Sequence, residues 1–268
     1  MKRLTRLIRE GRIPGRLPGP LRHRFNRARV QRQLTEPPIV IGGCGRSGTT
    51  LLLSILSAHP RVFAIPTETR QFCPAAYADP PASHRKPRLD AQFYRHFDGL
   101  TRHAPHDRWC EKTPRNVLFF DDIIELFAGR VKLLHIVRDG RDVILSKHPT
   151  KEDGYWVDPD RWVQDTRAGM AFLDHPLVHT VYYEDLVRDN DRAVKDICAF
   201  LGLEFCEAIS NWHQHATVRS NKAWDGEVKP IFESSIGTWR APEHAPRVRE
   251  LLDHPDGERT LRELGYLK

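Results

Sequence analysis

Residues 38–53 read PIVIGGCGRSGTTLLL: an apolar strand pattern, a run of glycines, then an apolar helix pattern. Gly43, Gly45 and Gly48 satisfy the GxGxxG spacing of dinucleotide-binding loops. Gly43 and Gly48, followed by Thr49 and Thr50, also satisfy the spacing of a phosphate-binding loop. Both templates gather backbone N–H groups at a helix N-terminus, where aligned peptide dipoles favour an anion. The chemistry is that of holding a phosphate or sulfate. A triphosphatase or kinase of the phosphate-loop type carries a lysine for the β/γ-phosphates. Here Thr49 takes that place, which argues against triphosphate chemistry. Arg46 puts a planar fork of donors inside the loop, suited to an oxyanion. The dinucleotide template asks for an acid about twenty residues further on, for a ribose hydroxyl, and Glu68 stands there. A nicotinamide-dinucleotide-binding oxidoreductase therefore stays open as an alternative.

A second stretch, HIVRDGRDVILS, narrows the choice. Arg138 directly follows a near-continuous apolar run, so it falls at the carboxyl edge of a buried strand, where α/β proteins bind ligands. Ser146 lies eight residues later, about two turns into the next helix if that helix starts near Gly140. An arginine and a hydroxyl at one edge form a second phosphate site. The competing reading is a surface network of Arg138, Asp139, Arg141 and Asp142. A pyridine dinucleotide does not require a second basic site after a later strand. A nucleotide with phosphates at both ends of its ribose does.

With these motifs in order, the chain resembles the PAPS-dependent sulfotransferases, which use 3′-phosphoadenosine 5′-phosphosulfate (PAPS) as co-substrate. GRSGTTLLLSILSAHP is similar to their 5′-phosphosulfate loop, which implies nucleotide contacts from Gly45, Arg46, Ser47, Gly48, Thr49 and Thr50. VRDGRDVILS is similar to their 3′-phosphate motif, with Arg138 and Ser146 at its binding positions. VYYEDLV resembles the strand end whose tyrosine, here Tyr183, approaches the adenine. The likeness extends over residues 38–268 and is closer to the tyrosylprotein sulfotransferases and related bacterial sulfotransferases. AHPRVFAIPTETR carries the Glu-containing element of that branch, which gives Glu68 the role of general base. CEKTP resembles its lysine segment and puts Lys112 near the sulfonate. VKPIFESSIGTW resembles its late segment but departs from it, since Gly237 stands where the family has a nucleotide-contacting serine and Ser234 and Ser235 fall earlier. Arg240, after Trp239, is a candidate second 3′-phosphate contact.

The resemblance implies an α/β fold, a P-loop-containing three-layer sandwich with a central parallel β-sheet flanked by helices. It also implies transfer of a sulfuryl group to a hydroxyl acceptor: a glycan, glycolipid, tyrosine or small molecule. By analogy with phosphoryl transfer, the protein mainly positions the groups and stabilises charge. Charge grows on the oxygen bridging phosphorus and sulfur, where loop N–H groups, Arg46 and Lys112 meet it; one such donor is commonly worth about 3 kcal/mol. No metal is expected. Glu68 is also open to a plain ion pair with Arg70 or Arg46, and a histidine base such as His103, His106 or His135 is the alternative. Lys112 as a surface lysine and Tyr183 as core packing are the competing structural readings.

These side chains need a scaffold, and the rest of the chain supplies one. Strand patterns at Ile39–Ile41, Val62–Ile65, 131–139 and 177–186 alternate with helical patterns at Thr50–Ala58, Pro114–Phe127, Asp160–Leu173 and Asp191–Leu201. That alternation predicts a mostly parallel sheet. Residues 73–108, rich in Pro, His and Arg, read as a substrate-side insertion. The net charge of +7 is uneven. Residues 1–36 hold eleven Lys/Arg against two Glu, whereas the domain at 37–268 is nearly neutral. The prolines at 14, 18 and 20 predict an irregular, loosely packed arm, with Leu4, Leu7 and Ile8 as a short apolar stripe. Such an arm suits peripheral contact with an anionic membrane; with Phe25 as its one aromatic, nucleic acid is not expected. Five cysteines without CxxC spacing suggest neither zinc nor a disulfide frame. No counterpart of the Golgi enzymes' membrane anchor is seen, so the expectation is a cytoplasmic protein, peripheral to a membrane at most.

Overall fold

A computed structural model describes residues 19–77, 86–101, 103–148, 154–219 and 233–268. The elements in chain order are α1 (Gly19–Gln33), β1 (Ile39–Gly43), α2 (Thr49–Leu56), β2 (Val62–Ala64), β3 (Arg108–Lys112), α3 (Phe120–Leu126), β4 (Lys132–Val137), α4 (Gly140–Val143) and α5 (Pro159–Met170). They continue with β5 (Val178–Tyr182), α6 (Tyr183–Arg188), α7 (Asn190–Leu201), α8 (Glu207–Ser210), α9 (Trp212–His215), α10 (Ala245–Leu252) and α11 (Gly257–Glu263).

The five strands form one sheet in the order β2-β3-β1-β4-β5, and every pairing is parallel. Strand residues alternate between faces, and the core follows that period. Ile39, Ile41, Leu134 and Ile136 pack with Leu52 and Leu56 of α2 and Ile197 and Leu201 of α7. Val40 and Leu133 point the other way, onto Val117, Phe120 and Ile123. Toward the strand ends Val137 joins Val143, Trp162 of α5, Leu251 and Leu261. The result is a three-layer α/β sandwich. Each such apolar side chain buried contributes roughly 1.5–3 kcal/mol. Helix α7 stops where expected: Gly202 closes it in the left-handed conformation, φ 65°.

Three local readings change. The segment from Gly19 is not a loose arm but a helix that docks on the domain. Asn26, fully buried, donates to the Tyr94 carbonyl at 2.8 Å and to Asp98 at 2.7 Å, and Arg29 donates to the Leu100 carbonyl. The three prolines precede or begin this helix and do not interrupt it; the Leu4, Leu7 and Ile8 stripe lies outside the described residues. Second, part of 73–108 is core. Phe93, Phe97 and Leu100 are buried, with Phe93 edge-on to Trp109 at 5.2 Å. Third, β3 carries Arg108, Glu111 and Lys112, all buried, and so lacks the apolar run that marks a central strand.

Candidate active site

All five strands end at the same edge. The register sets Ile41 beside Lys112, Gly43 beside Ile136 and Val137 beside Tyr182. The loop after β1, Lys112 at the end of β3, Arg138 after β4 and Tyr183 after β5 are therefore neighbours. β1 sits between β3 and β4, with the chain winding to both sides of it, and such a switch point opens a crevice at the carboxyl edge.

The loop 44–48 is built for close approach. Gly48 caps α2 at φ 95° and offers no side-chain cap, so the first-turn amides of α2 face the loop. A Cβ at Gly48 would come within 2.5 Å of the Tyr183 ring. Thr49 and Thr50 are buried in the first turn. Ser47 is 1% exposed, and its Oγ has no hydrogen-bond partner among the described residues. A buried orphan hydroxyl costs about 1–3 kcal/mol, so Ser47 fits a ligand oxygen. The open side of Gly45 faces the Arg161 guanidinium and the Trp156 indole, 3.3 and 3.6 Å from where a Cβ would stand. Arg46 holds the left-handed conformation, φ 72°.

Arg138 ties the second motif to the first. Its Nη1 donates to the Arg46 carbonyl at 3.0 Å and its Nη2 to the Ser235 carbonyl at 2.5 Å. Its guanidinium lies 4.3 Å from the Tyr183 ring centre, and the Tyr183 hydroxyl is 2.7 Å from Ser235 Oγ. Ser235, rather than Gly237, thus brings a hydroxyl to this edge. Arg138 stands apart from the anticipated Arg–Asp network. Asp139 pairs with Arg141 at 2.7 Å and is anchored by Glu184, which accepts from the Asp139 amide at 3.1 Å and from the Tyr266 hydroxyl at 2.7 Å.

Ser146 lies elsewhere than two turns into a helix. α4 ends at Val143 after a single turn, because Asp139 caps a chain that immediately buries Val143 and Ile144. Ser146 follows that turn, donating its amide to Val143 at 3.1 Å and accepting from the Trp156 amide at 2.8 Å. Arg240 is exposed. It stacks on Trp239 at 4.7 Å and lines a cavity of about 420 Å³ with Arg141, Arg188, Glu184 and Tyr266.

On the other flank, Lys112, 2% exposed, meets Glu68 Oε1 at 2.7 Å. Glu68 therefore pairs with Lys112 rather than with Arg70 or Arg46. Its segment is pinned by Glu111, which the sequence pattern did not single out. Glu111 is fully buried and accepts from the Thr69 amide (3.0 Å) and hydroxyl (2.9 Å), Thr113 Oγ1 (2.6 Å) and Asn116 Nδ2 (2.7 Å). Burial pushes its carboxyl above the usual range, and these bonds work against that shift. Asp165, also fully buried, lies between Arg161 (3.4 Å) and Arg115 (3.6 Å). Burial raises its carboxyl and the two guanidiniums counter the rise. Arg70 lies over the Tyr77 ring at 4.5 Å. Arg161, Trp156 and Glu111 escaped the sequence reading because no motif spacing marks them. Burial drives the Cys44 thiol in the loop far up, so it is no thiolate nucleophile at neutral pH. His106 precedes the amino end of β3, opposite the end that carries Lys112, and its ring bonds the Pro60 carbonyl at 2.8 Å. His135, within β4, is fully buried. Among the described residues no group of three or more His, Cys, Asp or Glu is placed to hold a metal.

Comparison with known proteins bears on the family and the fold. The model of the sulfotransferase family matches residues 37–207. A protein-tyrosine sulfotransferase of Drosophila melanogaster is 25% identical over 251 residues, covering 81% of this chain and 50% of that protein. The chain thus spans half the length of that relative. Among solved structures, the sulfotransferase domain from the curacin biosynthetic pathway superposes with a TM-score of 0.59 at 19% identity, covering 87% of this chain and 98% of that one. A mouse sulfotransferase complexed with PAP superposes with a TM-score of 0.54 at 14% identity, covering 89% and 94%. These superpositions bear on the fold, a P-loop-type parallel sheet flanked by helices.

Proposed function

The chain belongs to the sulfotransferase family, and we propose that it moves a sulfuryl group from PAPS to a hydroxyl-bearing acceptor. The supporting observation is Arg138, which bonds the carbonyl of Arg46 in one anion cradle while stacking on Tyr183 at the other. The residues fit the nucleotide. Ser47 Oγ and the amides of Gly48, Thr49 and Thr50 suit the 5′-phosphate, Arg138 and Ser146 the 3′-phosphate, and Tyr183 the adenine. Arg240 is proposed as a second 3′-phosphate contact.

PAPS, when bound, supplies an activated sulfonate with a phosphate leaving group. Arg46, Lys112 and the Gly45 amide hold charge at the leaving oxygen, preorganised rather than recruited. Glu68, at the exposed end of its pair with Lys112, takes the acceptor's proton as the acceptor oxygen attacks sulfur. A phosphate carrying one sulfate requires no metal clamp, so the reaction is proposed to run without one. The acceptor enters past Trp156 and Arg161, and the exposed indole beside Gly45 is suited to the face of a sugar or aromatic ring. The basic residues of 1–36 are proposed to draw the protein to an anionic membrane surface; among the described residues no helix is long and apolar enough to cross one.

The test is incubation of the protein with PAPS carrying radioactive sulfur and a lysate of the source organism. Label passing to a product that separates from PAPS and free sulfate at neutral pH with the wild type, but not with Glu68→Gln, supports the reading. No transfer above the protein-free control refutes it.

A further inference from the structure

We propose that Asp142 is a positioning residue that latches the segment 235–240 over the nucleotide cradle and thereby sets how long the nucleotide stays bound. The inference rests on the sulfotransferase reading of Arg138 and Tyr183. Asp142 lies in α4, is 3% exposed, and stands four residues after Arg138. Its carboxylate is spent on one stretch of chain. Oδ2 accepts from the Gly237 amide at 2.7 Å, and Oδ1 accepts from the Thr238 hydroxyl at 2.7 Å and the Trp239 amide at 3.1 Å. All three donors are neutral groups of residues 237–239. Hydrogen bonds to an ionised carboxylate are the strong ones, and three converging on one side chain fix a backbone that has no sheet or long helix to hold it.

Gly237 makes the convergence possible. It sits at φ 74°, and a Cβ there would stand 2.0 Å from Arg240 Nη1. The turn brings amides two residues apart onto one carboxylate. The Trp239 ring is then clamped between Arg141 at 3.7 Å and Arg240 at 4.7 Å. Immediately upstream, Ser235 gives its carbonyl to Arg138 and its hydroxyl to Tyr183. Residues 138 and 142 therefore grip the same strap at two points. Arg138 grips it inside the nucleotide cradle and Asp142 grips it outside. Releasing the outer grip loosens the segment that carries Ser235, and with it the orientation of Arg138 and Tyr183. Asp142 acts on the nucleotide only through this strap.

Hydrogen exchange of the peptide covering 233–240, in the nucleotide-free protein, tests the latch alone. Asp142→Ala is expected to speed that exchange at least about tenfold while leaving β4 and α7 unchanged. Dissociation of adenosine 3′,5′-bisphosphate, followed by stopped flow, tests its consequence. Asp142→Ala is expected to speed dissociation about tenfold or more and to raise KM for PAPS with kcat changed less than about threefold. Asp142→Asn, which keeps one acceptor oxygen, falls between. Should Asp142→Ala fail to fold, Thr238→Val removes one donor from an exposed residue and is expected to shift both rates the same way by about threefold. Unchanged exchange, or faster exchange with unchanged dissociation, overturns the proposal. A wild type that binds no bisphosphate refutes the sulfotransferase reading itself, whatever the exchange shows.

Discussion

The guanidinium of Arg138 donates to the main-chain carbonyl of Arg46 at 3.0 Å, so the anchor of one anion cradle is bonded to the backbone of the other. The two motifs lie 92 residues apart in sequence. They meet because β1 and β4 are adjacent parallel strands ending in the same place. In the proposed function, one nucleotide with a phosphate at each end of its ribose would span them.

Arg138→Ala removes the cation from the second cradle and loosens the first. Each charge-assisted hydrogen bond is worth about 1.5–3 kcal/mol, so the affinity for adenosine 3′,5′-bisphosphate should fall about 10–100-fold. Calorimetric titration reads this directly, and Arg138→Lys should recover only part of it, lacking the planar fork.

Glu68→Gln keeps the shape of the side chain at its place beside Lys112 and removes the proton acceptor. Turnover should fall about 10²–10⁴-fold, the usual worth of a positioned base. Binding of the bisphosphate should change less than about threefold. Single-turnover transfer and titration on the same preparation separate the two effects, and normal turnover would remove Glu68 from the mechanism.

Gly48→Ala puts a methyl where the backbone is left-handed and the Tyr183 ring already stands at 2.5 Å. The conformation alone costs about 1–2 kcal/mol, or a melting temperature lower by roughly 2–6 °C. The displaced ring should weaken adenine binding as well. A variant with unchanged melting and unchanged affinity would mean that Gly48 and Tyr183 do not share this contact.

How much was legible in the sequence follows from which residues carry their reason locally. Gly43 and Gly48 are legible because their positive φ selects glycine, and 131–139 because a central parallel strand is a near-continuous apolar run. β3 was invisible because Arg108, Glu111 and Lys112 are buried yet charged, each satisfied by partners distant in sequence. Arg108 bonds the Leu201 carbonyl at 2.6 Å, and Glu111 receives Thr69. Helix α1 hid for a related reason: it lacks a clean apolar stripe and is held by polar side chains such as Asn26. Ser235 and Asp142 were quoted in motifs, but their partners are fixed by tertiary packing, which spacing does not encode.

His135 gives a pH signature. Burial lowers its pKa from the ordinary 6.5 to about 3, and its ring packs against Gly169. The folded protein thus holds this histidine neutral while the unfolded chain binds a proton near pH 6.5. The stability from this group is fully present above pH 6.5 and is lost as pH falls from there toward 3. Urea midpoints measured from pH 7 down to 4.5 should decline, and His135→Gln should show a shallower decline. An identical slope in the variant would mean the buried ring is protonated in the fold.

The most direct measurement compares three ligands by calorimetry in EDTA: adenosine 3′,5′-bisphosphate, adenosine 5′-monophosphate and adenosine 3′-monophosphate. If both cradles grip one nucleotide, the bisphosphate binds one per chain without a divalent cation. It also binds about a hundredfold tighter than either monophosphate, since each lost phosphate forfeits about 3 kcal/mol of charge-assisted contact. Equal affinities for all three, or no binding until magnesium is added, would contradict it.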